Sequence, residues 1–267
     1  MNYFYYPEDS SKLTTFFLKL LVPLAARRSD KIITVSRNSK KDIVQILKIP
    51  EGKICVIYEA GSSRLSLPTA IKNKVRNKLK ERDGINKKFI LTVSASHPHK
   101  NLYRLIEAYD ILYKRYQIDC QLVIVGIKGR AQSVLMSLVK ELSLEKRIIF
   151  TGWVTNEDLS WLYSQAELFV FPSLFEGFGI PVLEAMAHGA PVVSSNVASL
   201  PEVVGDAALL VDPYSVDEIA EAMYRVLTDK NLRKDLIEKG SERVHHFSWE
   251  KTARETLSAY KKACGKE

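Results

Sequence analysis

Short apolar runs alternate with amphipathic segments along most of this chain. The runs that lack polar alternation predict strands buried on both faces, at residues 31–35, 53–58, 88–93, 120–125, 147–150, 167–171, 191–194 and 208–211. The segments around them predict helices, at residues 10–27, 37–47, 72–82, 102–116, 131–142, 157–164, 182–188, 217–228 and 231–247. Residues 1–9 show no pattern, so no element is predicted there. Strand and helix in alternation predict an α/β fold with a doubly wound parallel sheet.

The most informative stretch runs from residue 167 to 195, where an apolar strand leads into a glycine-bearing loop and a short helix. Gly177 and Gly179 allow backbone conformations that other residues avoid, so the N–H groups of the loop can turn toward a ligand. Pro181 suits the first turn of the helix, and Gly189 suits its end. Free N–H groups and a helix N-terminus then meet at one point, an arrangement that binds phosphate.

Two carboxylates frame this point, Glu176 in the loop and Glu184 on the helix, with seven residues between them. Solvated glutamates near a helix start are common, because negative charge is mildly favourable there. Doubly wound folds also use a strand, a glycine loop and a helix for many different ligands. The two glutamates therefore indicate a specific site only together with the sequence around them.

That surrounding sequence resembles a known family. The run EGFGIPVLEAMAHGAPVVSSNVASLPEVVGDAALLVDP, residues 176–213, is similar to the donor-site signature of retaining glycosyltransferases of family 4. The resemblance extends upstream through His99-Lys-Asn-Leu102 and downstream to residues 248–253, and in all covers residues 29–263. These enzymes have the GT-B architecture of two facing Rossmann-like domains. The resemblance implies that the predicted sheet is the C-terminal, donor-binding half.

The resemblance also implies a domain organisation. Residues 1–61 would be a remnant of the N-terminal, acceptor-side domain with its linker, and residues 62–247 the nucleotide-sugar-binding domain. Residues 248–267 would form a C-terminal helix that crosses toward the N-terminal domain. So short a remnant cannot rebuild a parallel sheet with helices on both faces. We therefore expect the chain to be either truncated or completed by a separate polypeptide that carries the acceptor half.

The resemblance assigns the main roles to three residues. Lys100 would reach the β-phosphate of the donor and Glu176 would lie near the transferred sugar, which makes them the predicted catalytic residues. Glu184 would accept hydrogen bonds from the ribose hydroxyls, a task that suits an ionised carboxylate. A surface lysine beside a helix start is otherwise unfavourable, because the helix dipole disfavours a cation there. The family often has an arginine six residues before the lysine, but Ser94 occupies that position.

The other predicted donor-binding residues supply backbone groups or line the base and phosphate pocket, and they are Gly177, Phe178, Gly179, Ile180, His99, Ser94, Gly126, Arg130 and Val154. For Phe178, packing of the loop is an equally good interpretation, and for Arg130 a solvated side chain is the better one. The base is expected between residues 126–130 and residues 153–154. No Asp-x-Asp metal motif occurs, so protein groups rather than Mg²⁺ or Mn²⁺ are expected to neutralise the phosphates, and no cofactor is expected.

The resemblance thus implies a retaining, metal-independent glycosyltransferase. Its donor would be a nucleotide diphosphate sugar, either GDP-mannose or a UDP-hexose, and mannose or glucose would pass to a glycan or a lipid-linked glycan. The alternative is a non-catalytic or partner-dependent nucleotide-sugar-binding subunit, since the acceptor half is expected to be missing and Ser94 replaces the arginine. A separate acceptor-domain subunit or a homo-oligomer would then be its partner.

Charge is unevenly distributed along the 267 residues. The net charge is +8, but residues 1–100 hold 20 Lys and Arg against 8 Asp and Glu, which is +12 and leaves −4 for the rest. No nucleic-acid-binding motif accompanies the basic half, so nucleic acid is not an expected partner. Residues 12–31 combine apolar and basic side chains on a predicted helix, which favours a phospholipid surface. An ordinary helix packed on its own domain with a basic edge is the alternative.

Two further features bear on localisation. The longest apolar run, residues 16–26, contains Lys19 and is too short for a membrane span. Cys55, Cys120 and Cys264 have no metal-ligand spacing and are expected to be incidental thiols in a reducing compartment. We therefore expect a cytoplasmic protein, with peripheral contact at the inner face of the cell membrane as the further expectation from the basic helix.

Overall fold

The computed structural model describes residues 2–7, 11–62 and 67–265. The strands in this part of the chain are β1 Ile32–Thr34, β2 Ile54–Val56, β3 Phe89–Val93, β4 Gln121–Val125, β5 Ile148–Gly152, β6 Leu168–Phe171, β7 Val192–Ser195 and β8 Leu209–Val211. The α-helices are α1 Asn2–Tyr5, α2 Lys12–Arg28, α3 Arg37–Leu47, α4 Thr69–Asp83, α5 Leu102–Lys114, α6 Gly129–Glu141, α7 Asn156–Gln165, α8 Ile180–Ala187, α9 Leu200–Val204, α10 Val216–Thr228, α11 Lys230–Arg243 and α12 Trp249–Ala263.

Strands β3 to β8 form one parallel sheet in the order β5-β4-β3-β6-β7-β8. The chain runs outward from β3 to β5, returns to the centre at β6 and then runs outward in the other direction to β8. In the central pair, Ile90 lies opposite Leu168 and Leu91 opposite Phe169. The reversal of direction between β3 and β6 leaves a crevice at the carboxyl ends of these two strands. The predicted α/β fold with a doubly wound parallel sheet is confirmed.

The two faces of the sheet enter separate hydrophobic cores, because successive side chains of a strand point to opposite faces. Phe89 and Leu91 of β3 pack with residues of α4, α7, α8 and α9 on one face. Ile90 packs with residues of α5, α6 and α10 on the other. Helices thus cover both faces, which explains why the strand sequences are continuous apolar runs rather than alternating ones.

A smaller unit precedes the large sheet and packs beside it. β1 and β2 pair in parallel, with α3 between them in the chain, and Leu47 and Ile54 are part of a small core of their own. Glu202 of α9 accepts hydrogen bonds from the N–H groups of Arg37 and Asn38, each at 3.1 Å. A carboxylate is favourable at a helix N-terminus, so this contact both caps α3 and ties the small unit to the large sheet.

The last helix, α12, also contacts the small unit. The hydroxyl of Thr252 donates to the backbone carbonyl of Tyr58 at 2.6 Å. The ring of Phe247, just before α12, lies 5.7 Å from the ring of Tyr58. The C-terminal helix is therefore held against the residues that follow β2. Among the described residues, no helix is both long enough and apolar enough to span a membrane.

Several predicted boundaries are wrong; among them, α4 begins at Thr69 rather than at residue 72, and α11 ends at Arg243 rather than at residue 247. Residues 2–5 form α1 where no element was predicted, and Tyr5 is held there by Phe175, whose ring lies 5.1 Å away. Arg130 lies in the first turn of α6 rather than in a loop. Helix α8, predicted over residues 182–188, begins at Ile180, two residues earlier than predicted, because Gly179 precedes it in a left-handed conformation. The predicted start of the helix over residues 10–27 lies outside the described residues.

Candidate functional site

The loops that follow β3 and β6 bring Lys100 and Glu176 together. Lys100 ends a short 3₁₀ turn, residues 98–100, and Glu176 lies in the glycine-bearing loop. The Lys100 Nζ is 2.6 Å from Glu176 Oε1, and only 16% and 12% of the two side chains are exposed. The ammonium also lies 5.4 Å from the ring centre of Phe171. The two predicted catalytic residues therefore form an ion pair at the carboxyl ends of the central strands.

Asn101 fixes the spacing between these two loops. It adopts a left-handed conformation with φ of 61°, which asparagine tolerates better than most residues. Its side-chain amide donates to the carbonyls of Pro172, at 3.0 Å, and Pro213, at 2.6 Å. The N–H of Leu174 also donates to the carbonyl of His99 at 2.8 Å, and His99 is buried beside the pair. The bridging role of Asn101 was not predicted, although the residue stands in the His99-Lys-Asn run.

Ser199 supports the glycine-bearing loop. Its buried hydroxyl lies 3.0 Å from the carbonyl oxygen of Glu176 and 2.9 Å from that of Phe178. Gly179 has φ of 118°, and a Cβ atom on it would lie 2.8 Å from Leu200 Cδ2, so only glycine fits. Within the described part of the chain, the N–H groups of residues 177–180 donate to no protein acceptor. They are therefore available at the N-terminus of α8.

The side chain of Phe178 packs in the interior. It is 2% exposed, and its ring lies 5.9 Å from the ring of Tyr58 and 5.6 Å from that of Phe247. This supports the packing interpretation for the side chain and leaves only the backbone of Phe178 for a ligand. The contact also ties the glycine-bearing loop to the residues that follow β2.

Glu184 projects from α8 into a hydrogen-bond network. The phenol of Tyr163 donates to its Oε2 at 3.0 Å, and the hydroxyl of Ser62 donates to its Oε1 at 2.6 Å. Burial, and then the charge of Glu184, raise the pKa of Tyr163 well above its usual value, so the phenol remains a donor. A cavity of about 310 Å³ lies beside this carboxylate, with Asn156 and His188 in its lining.

Neither Tyr163 nor Ser62 was predicted as a site residue. Tyr163 belongs to α7, whose apolar pattern indicates only a packed face. Ser62 belongs to the segment that joins β2 to α4. No sequence spacing relates either of them to Glu184, so no signal in the chain could have identified the network.

The remaining predicted residues lie at the carboxyl ends of β3, β4 and β5. The N–H of Ser94 donates to the carbonyl of Val125 at 3.0 Å. A Cβ atom on the adjacent Gly126, which has φ of 94°, would lie 2.3 Å from the carbonyl oxygen of Ser94. Val154 is half-buried. Arg130 is exposed at the start of α6 and, as far as the described residues go, makes no hydrogen bond or ion pair with the other predicted residues, which agrees with the solvated side chain preferred for it from the sequence.

The site therefore combines one ammonium group, two carboxylates and a set of unpaired N–H groups. Donors of this kind bind phosphate oxygens, and ionised carboxylates accept hydrogen bonds from hydroxyl groups. In the part of the chain that the structure describes, no cluster of three or more His, Cys, Asp or Glu residues is arranged to hold a metal ion. The arrangement suits a ligand that carries both phosphates and sugar hydroxyls.

The chain is similar in sequence to known glycosyltransferases. The chain is 37% identical over 237 residues to the O-antigen chain mannosyltransferase B of Escherichia coli, covering 86% of this chain and 60% of that protein. It is 31% identical over 242 residues to the MMP alpha-(1->4)-mannosyltransferase of Mycolicibacterium hassiacum, covering 89% of this chain and 55% of that protein. The chain thus spans no more than 60% of the length of these two relatives.

The chain is also similar to a solved structure and to a family model. Sucrose-phosphate synthase from Thermosynechococcus elongatus superposes with a TM-score of 0.78 at 27% identity, covering 93% of this chain and 62% of that one. The family model described as glycosyl transferases group 1 matches residues 73–243, which include Lys100, Glu176 and Glu184. Because this match covers more than half of the residues, the chain belongs to the glycosyl transferases group 1 family.

Proposed function

We propose that this chain is the donor-binding part of a retaining mannosyltransferase that moves mannose from GDP-mannose to a glycan or a lipid-linked glycan without a metal ion. The main support is the Lys100–Glu176 pair, which places an ammonium and a carboxylate 2.6 Å apart at the carboxyl ends of β3 and β6. Doubly wound sheets bind nucleotides at this reversal of strand order. The pair therefore lies where a nucleotide sugar would present its phosphates and its reacting carbon.

In this proposal, Lys100 stabilises the leaving group. Breaking the bond between the sugar and the pyrophosphate leaves negative charge on the β-phosphate. Lys100 would donate to that phosphate, together with the N–H groups of Gly179 and Ile180 at the start of α8. Fixed donors stabilise a developing charge efficiently, because they need not reorganise during the reaction. Their combined positive charge would take the place of a divalent cation.

Glu176 would orient the transferred sugar. One of its oxygens is held by Lys100, which leaves the other to accept a hydrogen bond from a sugar hydroxyl. Retention of the anomeric configuration is proposed from the resemblance of residues 176–213 to the signature of retaining enzymes. The mannosyltransferase names of the two relatives favour mannose over glucose, and the O-antigen name of one favours a glycan acceptor.

Glu184 would bind the ribose. Its carboxylate lies on α8, about one turn from the N–H groups that would hold the phosphates, and the cavity of about 310 Å³ lies beside it. Tyr163 and Ser62 already donate to it. An ionised carboxylate has about four lone-pair positions, so it can accept from a ribose diol as well as from Tyr163.

Isothermal titration against GDP-mannose, UDP-glucose, UDP-N-acetylglucosamine and the matching diphosphates tests the donor assignment. We expect the tightest binding for GDP-mannose, with equal affinity in magnesium and in a chelator. NMR of the slowly released sugar should show α-mannose first, as retention requires. Binding of a UDP-sugar in preference to GDP-mannose, β-mannose as the first product, or a strict need for metal would each refute the corresponding part of the proposal.

A variant pair separates the proposed site from general effects on folding. Glu184→Gln removes one charge at the proposed ribose site and should weaken GDP-mannose binding. Glu107→Gln removes one charge from the exposed side of α5 and should leave binding unchanged. Equal affinities for the two variants would count against Glu184 as a donor ligand. GDP-mannose binding without any sugar release would favour the partner-dependent subunit over the enzyme.

A further inference from the structure

Helix α2 exposes a continuous apolar stripe. Its large apolar side chains are 41% to 67% exposed and follow one another at intervals of three and four residues, at Leu13, Phe16, Phe17, Leu20, Leu21 and Leu24. Residues at this spacing share one face of a helix. Isolated exposed apolar residues are common on protein surfaces, but a contiguous stripe marks a surface that contacts something else.

The opposite side of α2 already packs on the protein. Thr15 and Ala26 are buried there, and Val22 contacts the small core that includes Leu47 and Ile54. The hydroxyl of Thr15 donates to the carbonyl of Pro7 at 3.2 Å. The exposed stripe is therefore in excess of what α2 needs to pack on its own unit. An apolar face that a helix does not use within its own unit contacts either protein or lipid.

The charges around the stripe distinguish a lipid surface from a protein partner. α2 contains no Asp or Glu, and its four cationic residues are exposed, at Lys12, Lys19, Arg27 and Arg28. With about 100° of rotation per residue, Lys12 and Lys19 border the stripe beside Phe16, while Arg27 and Arg28 continue its line past Leu24. Within the described residues, none of the four takes part in an ion pair, and only Lys19 has an aromatic contact, with its Nζ 5.7 Å from the ring centre of Phe4.

Cations in this position match an anionic lipid surface better than a protein partner. Long basic side chains can lay their methylene groups along the apolar stripe and extend their charges to lipid phosphates. The centres of protein interfaces, in contrast, are depleted of lysine. Phe16 and Phe17, with ring centres 5.8 Å apart, add aromatic surface of the kind that anchors interfacial helices.

We infer that α2 is a lipid-docking helix, which inserts its Leu13 to Leu24 stripe into the surface of an anionic bilayer while its four cations contact the phosphate groups. The helix lies parallel to the bilayer plane and does not cross it. Residues 1–50, which include α2, hold nine Lys and Arg against four Asp and Glu, so this part of the chain is itself basic and is attracted to anionic lipid over longer distances. This inference is independent of the donor proposed above, since α2 contains none of the residues assigned to that site.

Vesicle flotation with the full chain tests the inference. We expect the protein to bind vesicles of phosphatidylcholine mixed with phosphatidylglycerol, and to bind pure phosphatidylcholine at least about tenfold more weakly, because charge adds to the apolar contact. Raised NaCl should reduce binding to the mixed vesicles. Equal binding to neutral and anionic vesicles, or no binding to either, would overturn the inference.

Two matched variant pairs localise the contact. Phe16→Glu with Leu20→Glu should abolish binding, whereas Leu257→Glu, which alters an exposed leucine on α12, should not. Lys12→Gln with Lys19→Gln should weaken binding to anionic vesicles, whereas Lys261→Gln with Lys262→Gln on α12 should not. Circular dichroism and GDP-mannose titration of each variant report its fold. A folded Phe16→Glu, Leu20→Glu variant that still floats with vesicles would overturn the inference.

Light scattering tests whether the stripe instead contacts a second copy of the chain. We expect a monomer in the absence of vesicles. A dimer that is lost in the Phe16→Glu, Leu20→Glu variant, together with failure of the parent chain to float, would assign the stripe to self-association and overturn the inference.

Discussion

Lys100 Nζ lies 2.6 Å from Glu176 Oε1, although 76 residues separate the two in the chain. Each largely buried charge is compensated by the other, which offsets the cost of removing them from water. A bound donor would change this balance, because its phosphate would compete with Glu176 for the ammonium. The pair is therefore both a structural contact and the part of the site that we expect to respond most to ligand.

Replacement of Lys100 by alanine should weaken GDP-mannose binding by about 1.5 to 3 kcal/mol, roughly ten- to 150-fold, since a charged hydrogen bond is lost. Titration calorimetry measures the change. Lys114→Ala, which removes an exposed lysine paired with Asp110 on α5, is the control and should bind normally. The Lys100→Ala, Glu176→Ala double variant separates two explanations. If it binds like the parent, then Lys100 only neutralises Glu176 and does not contact phosphate.

Replacement of Tyr163 by phenylalanine should affect the ribose contact but not the phosphate contact. Glu184 would lose one donor and its fixed orientation, so GDP-mannose affinity should fall by about 0.5 to 1.5 kcal/mol while pyrophosphate affinity stays unchanged. Tyr109→Phe removes another buried phenol, one that donates to the Cys120 carbonyl, and is the matched control. An equal loss of GDP-mannose affinity in both variants would contradict a specific role for Tyr163.

Replacement by alanine should lower the unfolding free energy by different amounts at two glycines with positive φ, Gly126 and Gly129. A Cβ atom on Gly126 would meet the Ser94 carbonyl oxygen, whereas one on Gly129 would meet nothing within 4 Å. Gly129→Ala should therefore cost about 1 to 2 kcal/mol of unfolding free energy, from backbone strain alone. Gly126→Ala should cost at least about 1 kcal/mol more, from the added steric clash. Urea unfolding measures both, and equal losses would contradict the close approach of the two loops.

The three cysteines should differ in reactivity. Burial, and then the charges of Asp119 and Glu167, raise the pKa of the Cys120 thiol to about 12. Because only the thiolate reacts, Cys120 should resist alkylation at neutral pH and gain reactivity only as the pH approaches that value. Cys264 is exposed and should react first. Peptide mapping after iodoacetamide treatment checks this, with urea-unfolded protein as the control in which all three react.

The sequence patterns predicted the large sheet well and the first residues poorly. β3 and β4 lie within the apolar runs at residues 88–93 and 120–125, because helices on both faces require continuous apolar strands. Helix α1 had no such signal. Tyr5 is held by a hydrogen bond of 2.8 Å from its hydroxyl to Asp42 and by the ring of Phe175. Those partners are distant in the chain, so no local period could indicate them.

Only part of the candidate site could be predicted, because some of its residues act through partners that are distant in the chain. The glycine-bearing loop, Glu176, Glu184 and Lys100 stand in runs that resemble a known signature. Asn101, Ser199 and Tyr163 hold those residues in place through contacts with other elements. Arg130 is exposed in the first turn of α6, where its side chain is solvated as preferred from the sequence.

Local sequence was enough to predict the alternation of strands and helices and the glycine positions of the loop, because short-range spacing and backbone conformation decide these features. Which side chains meet depends instead on the three-dimensional packing. The strand order sets the loops after β3 and β6 side by side and so joins Lys100 to Glu176. The packing of α7 against α8 joins Tyr163 to Glu184. Strand order and helix packing depend on burial across the whole sheet, which no local stretch of sequence contains.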